Sequence, residues 1–156
     1  LPPPYLWRVC GALGGHGGVG TWVLGAGLLA VFGAPVLLPD HATCAVRAAQ
    51  EMIELIELFN HEGVSIDKPT IRIGVGIATG EMVAGYTGTN DRAAYTCIGD
   101  TVNVAARLEA HTKVAQRPIL VDRATRIALG DQIAVDALGP VPLKGKAAMV
   151  DVFAVS

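Results

Sequence analysis

Two polar side chains four residues apart carry the most chemical information in this 156-residue chain. Asn103 and Arg107 follow the strand-like run Tyr95-Thr96-Cys97-Ile98, which passes through Gly99 into a helix-compatible segment opening at Asp100 or Thr101. At that spacing on a helix the two side chains share one face, so an amide and a planar guanidinium can grip the same anion, and a phosphate suits both. The pair is also open to a plainer role on a surface helix, solvated or locally paired. Lys144-Gly145-Lys146 places flexible ammonium groups beside a glycine, which fits a point-charge contact or a solvated turn. Cys10, Cys44 and Cys97 are an odd number with no close pair, matching neither a disulfide framework nor a zinc site and implying a reducing compartment. His16, His41, His61 and His111 are too scattered to suggest a metal cluster and read as solvated surface side chains.

The elements that must position these groups follow from periodicity. Residues 1–20, opening Leu-Pro-Pro-Pro and then glycine-rich, read as an irregular arm. Thr21 to Leu24 and Leu28 to Phe32 read as a hairpin around Gly25-Ala26-Gly27. After Asp40, a suitable N-cap, Ala45, Val46, Ala49, Met52, Ile53, Ile56 and Phe59 recur at helical steps up to Gly63. Beyond Pro69 the period becomes two, with Ile71, Ile73, Val75 and Ile77 on one face of a strand and Thr70, Arg72, Gly74 and Gly76 on the other. Glu81 to Tyr86 and Ala93 to Ile98 flank the turn residues Gly88-Thr89-Asn90-Asp91, a second hairpin. A helix to about Lys113 then precedes a strand at Ile119 to Val121, a short helix at Arg123 to Leu129 closed by Gly130, and late strands at Ile133 to Val135 and Val150 to Val155.

Composition bounds the rest. With 51% hydrophobic and 17% charged residues the chain can bury a core, and its length fits one domain. A formal charge of −2 advertises no polyanionic partner, so nucleic acid is a poor fit. Nothing between Arg8 and Asp40 is formally charged, and an uncharged run beyond about 18 residues can mark a membrane span. Its many glycines, with Pro35 and Pro39, favour a buried hairpin instead. Gly74-x-Gly76 with Gly80 is not a dinucleotide loop, because the glycines lie within an alternating strand and no helix opens after them.

The run Ile98-Gly99-Asp100-Thr101-Val102-Asn103-Val104-Ala105-Ala106-Arg107-Leu108-Glu109 resembles the signature of the class III adenylyl and guanylyl cyclase catalytic domain. Gly27 to Pro35, Asp40-His41-Ala42 with Ala45 to Ala49, Ile73 to Gly80, and Leu143-Lys144-Gly145-Lys146 echo the same family in the same order, so residues 21–156 read as a partial cyclase domain of bacterial adenylyl-cyclase type. The resemblance implies an α+β fold, a ferredoxin-like antiparallel sheet with helices on one face, here with its first strand and helices missing and a sheet edge left open to association. It further implies ATP conversion to cyclic AMP and pyrophosphate, a phosphorus–oxygen lyase reaction of intracellular signalling in the cytoplasm. In that scheme Asn103 positions the ribose and Arg107 stabilises the phosphoryl charge as the 3′-hydroxyl attacks. Thr96 falls at the base-selecting position, where a hydroxyl favours ATP over GTP, and a one-residue slip onto Cys97 would change that assignment. Lys144 or Lys146 approaches the terminal phosphates. A second cyclase domain, as homodimer or heterodimer, is the implied partner.

The N-terminal part departs from the pattern. The family holds two Mg or Mn ions on two Asp carboxylates, but Ala26 stands where the hairpin Asp belongs, Trp22 where the purine-contacting Lys belongs, and no Asp or Glu precedes Asp40. A methyl group and an indole bind no metal, so the chain alone is expected to be inactive. Two explanations are open: a truncated or out-of-frame N-terminus, or a pseudocyclase that completes a partner's site with Asn103 and Arg107.

Overall fold

The computed structural model describes residues 19–23, 27–33, 39–64, 70, 72–81, 83–87, 94–143 and 148–155. Strands β1 (Val19–Val23) and β2 (Gly27–Val31) form the expected antiparallel hairpin, with Thr21 opposite Leu29. Helix α1 (His41–Val64) follows and starts where Asp40 promised, the Asp40 carbonyl accepting from the Cys44 amide at 3.0 Å. It runs through Gly63 to Val64 rather than stopping there, since one glycine costs only about 1 kcal/mol of helix propensity. Strands β4 (Val83–Thr87) and β5 (Ala94–Ile98) make the second hairpin; its turn lies outside the described residues.

The central sheet joins β3 (Val75–Ile77), β6 (Ile119–Asp122), β8 (Val150–Val155) and β7 (Val135–Val141) in the order β3-β6-β8-β7. Helix α2 (Asp100–Ala115) lies between β3 and β6 in sequence, and α3 (Arg123–Leu129) follows β6 directly. The carboxylate of Asp122 caps α3, accepting from the Thr125 amide at 2.9 Å and from the Thr125 hydroxyl at 2.7 Å. The Thr125 side chain is fully buried and also lies 2.8 Å from the Thr79 hydroxyl, tying α3 to the chain leaving β3.

The α+β class stands, but the layering differs from the sequence expectation in two ways. First, β3 and β6 pair in parallel, Val75 with Ile119, while the other ladders of the sheet are antiparallel. A parallel pair needs a crossover, and α2 supplies it. Second, helices therefore cover both faces of the sheet. On one face Val46, Ala49, Met52 and Ile56 of α1 and Leu129 of α3 pack with Ile119, Val121 and Val155, joined by Ile73, Val75 and Ile77. On the other, Val104 and Leu108 of α2 pack with Leu120, Val152 and Ala154. A fully buried aliphatic side chain such as Leu108 or Val121 contributes about 2 kcal/mol by leaving water. From the sequence the glycine side of the 70–77 alternation is only the second face of a half-buried strand. In the fold it is the surface on which α2 lies.

Candidate nucleotide-contacting face of helix α2

The chain turns from β5 into α2 at Gly99, whose φ of 153° and ψ of 171° belong to a region open essentially to glycine alone. No side chain caps this end; the first turn closes with the Asn103 amide donating to the Gly99 carbonyl at 3.4 Å. Val104, Leu108 and Thr112 then form the buried stripe of the helix.

That stripe rests on β3 with little between the two backbones. A Cβ built at Gly76 would overlap the Ala105 carbonyl oxygen and the Glu109 amide nitrogen, and one at Gly74 would overlap the Thr112 hydroxyl. The approach is thus close enough that only glycine fits on the strand side. At the N-terminal end the Thr101 hydroxyl donates to the Glu81 carbonyl at 2.9 Å, anchoring the helix to the loop after β3.

Away from the sheet, Asn103 is exposed and Arg107 half-buried. The two are neighbours, as the spacing predicts: one guanidinium nitrogen of Arg107, Nη1, donates to the Asn103 main-chain carbonyl at 3.3 Å. The guanidinium therefore lies back along its own helix toward the N-terminal turn. A guanidinium held there, on the same helix as Asn103, suits a phosphoryl group.

Thr96 lies on β5, paired with Gly85 across the hairpin and three residues before Gly99, so its backbone belongs to the strand that feeds the helix. Trp22 lies on β1 opposite Leu28. Lys144, Lys146 and Ala26 fall outside the described residues. Among the described residues no three His, Cys, Asp or Glu side chains come together to hold a cation. Nor is any helix among them long and apolar enough to cross a membrane. Cys44, on the first turn of α1, has its thiol pushed above the ordinary range by burial, and the Asp40 carboxylate acts in the same direction through its charge and a hydrogen bond.

Sequence reasoning missed the contribution of Thr101 and of the paired glycines. Part of the signal was present: glycines at alternate positions of one strand mark a close approach, though not which element makes it.

Comparison with known proteins agrees with this architecture. Residues 21–155 match the family model for the adenylate and guanylate cyclase catalytic domain. Adenylate cyclase 1 of Rhizobium meliloti is 34% identical over 140 residues, which cover 90% of this chain and 21% of that protein. The terminal-differentiation-specific adenylate cyclase of Dictyostelium discoideum is 33% identical over 114 residues, 71% of this chain and 5% of that protein. This chain thus spans about a fifth or less of the length of those relatives. Among solved structures, the adenylyl cyclase CyaB from P. aeruginosa superposes with a TM-score of 0.86 at 26% identity, over 97% of this chain and 78% of that one. The guanylyl cyclase Cya2 gives 0.87 at 30% identity, over 97% and 76%.

Proposed function

The chain belongs to the adenylate and guanylate cyclase catalytic-domain family, and from that membership we propose that it supplies the transition-state-stabilising half of a cyclase site while lacking the metal-binding half. The observation that carries this reading is the shared rim of α2, where Arg107 reaches back to Asn103 on the outward side of a helix held rigidly against the sheet.

In this reading Asn103 orients the ribose of ATP, and Arg107 spreads its positive charge over the phosphoryl group as the 3′-hydroxyl oxygen bonds to the α-phosphorus and pyrophosphate departs. Such a cation, fixed before the reaction begins, needs no reorganisation as charge builds. Thr96, on the strand leading into α2, contacts the purine and favours ATP over GTP; Lys144 or Lys146 meets the terminal phosphates. Magnesium or manganese serves the family's reaction, but Ala26 offers no ligand, so the metals of a working site sit on another chain. A second cyclase domain, identical or different, is the partner that completes the site.

The purified chain given ATP with magnesium or manganese is expected to make no cyclic AMP; measurable product would remove the claim of inactivity. Mixed with an adenylyl cyclase replaced only at its own Asn and Arg positions, the chain is expected to restore cyclic AMP formation. In that mixture Arg107→Ala should lower the rate by about 100-fold, the scale of losing one preorganised charge-stabilising donor. A mixture that stays inactive overturns the donor role.

A further inference from the structure

Three contacts run along one side of α2. Near its N-terminus the Thr101 hydroxyl donates to the Glu81 carbonyl. At mid-helix Ala105, Leu108 and Glu109 lie over Gly76, and toward the C-terminus Glu109 and Thr112 lie over Gly74. The last two, main-chain atoms over Gly76 and the Thr112 side chain with the Glu109 carbonyl over Gly74, set the distance of the helix from the strand, leaving rotation about its own axis as the softer freedom. Thr101 opposes that rotation, because its bond reaches the loop 20 residues upstream rather than the helix itself. Gly80 lies close to the same hydroxyl: a Cβ there would stand 2.6 Å from Thr101 Oγ1.

We propose that Thr101 is a positioning residue, a hydroxyl latch that sets the rotation of α2 and thereby aims Asn103 and Arg107 at the nucleotide. The proposal rests on the function assigned above to those two side chains. Arg107 lies about a third of a turn around the helix from Thr101 at 100° per residue. With side chains the helix has a radius of about 5–6 Å, so a rotation of about 10° moves its outer groups by on the order of 1 Å. Displacements of that size can cost about 100-fold in rate when a reacting group must be held in place. Partial release of the latch, with the glycine seats intact, should cost less.

The test compares the full chain with Thr101→Val, which keeps the shape and removes the hydroxyl, and Thr101→Ser, which keeps it. Three quantities are read: the melting temperature, the nitrogen NMR resonances of Arg107 Nε and the Asn103 side-chain amide, and cyclic AMP formation in the mixture with the partner cyclase. Thr101→Val should lower the melting temperature by less than about 4 °C. It should shift both side-chain resonances while leaving the amides of Leu129 and Ile133 in place, and reduce kcat of the mixture about tenfold with KM for ATP within about twofold. Thr101→Ser should restore both resonances and kcat. Arg107 and Asn103 resonances that stay put in Thr101→Val, or a Ser variant that behaves like Val, would overturn the latch. Should Thr101→Val fail to fold, Gly80→Ala displaces the same hydroxyl, and unmoved resonances there count equally against the proposal. A wild-type mixture that makes no cyclic AMP sinks the functional reading instead, and the resonances still decide whether Thr101 sets the rotation.

Discussion

On one face of the central sheet α1 and α3 meet the strands through side chains, Val46, Met52, Ile56 and Leu129 interdigitating with Ile119, Val121 and Val155. On the other, Val104 and Leu108 of α2 pack on β6 and β8 by side chain, but against the β3 segment the approach is to backbone, main-chain atoms of Ala105 and Glu109 over Gly76 and the Thr112 side chain over Gly74. The first kind of contact is broad and adjustable, because each aliphatic group can shift a little when a neighbour changes. At Gly76 the second meets main-chain atoms, which have little room to move. A helix seated in this way is well suited to holding two polar side chains at a fixed place, and α2 is the helix that carries Asn103 and Arg107.

Substitutions on the two faces should therefore fail differently. The largest effect is expected at Gly76→Ala, where the added methyl overlaps main-chain atoms of Ala105 and Glu109. A loss of about 4 kcal/mol in denaturant unfolding, above the usual range for overpacking, would bear out a rigid contact. A change under about 1 kcal/mol would mean that the helix slides easily, and the contrast between faces would be lost. Next is Ile56→Ala on α1, 4% exposed, expected to cost about 3 kcal/mol by opening a cavity. Unlike Gly76→Ala, it should leave the NMR resonances of Asn103 and Arg107 where they are; their displacement would show that the faces are coupled. The smallest is Thr125→Val, which takes the hydroxyl from between Asp122 and Thr79 and should cost about 1–2 kcal/mol, again without effect at α2.

The sequence exposed the side-chain face better than the backbone face. Apolar recurrence from Ala45 to Phe59 is a direct image of burial, so α1 and its inward residues could be read from spacing alone. The i, i+4 relation of Asn103 and Arg107 was legible for the same reason, since helix geometry is local. The partner of Gly74 and Gly76 was not. Glycine carries no side chain whose polarity could announce a neighbour, and the helix that covers it comes more than 20 residues later. Layering on both faces went unread with it, as did the parallel pairing of β3 with β6: alternation reports that a strand has two sides, not what rests on each. Strand β3 is also shorter than the alternating run, Val75–Ile77 against residues 70–77, because pairing needs a neighbouring strand and β6 overlaps β3 only at Ile119 to Val121.

The parallel ladder of β3 and β6 also bears on how the chain acquires its shape. Val75 cannot meet Ile119 until a hairpin and the whole of α2 have been made between them. Hairpins and helices form locally and fast, whereas closing so long an excursion costs chain entropy before any strand-to-strand bond rewards it. The two hairpins and α1 can organise as the polypeptide emerges, but the centre of the sheet, β6 with β8, must wait for synthesis to reach Val155, and the surface that carries Asn103 and Arg107 is then among the last parts of the protein to be finished.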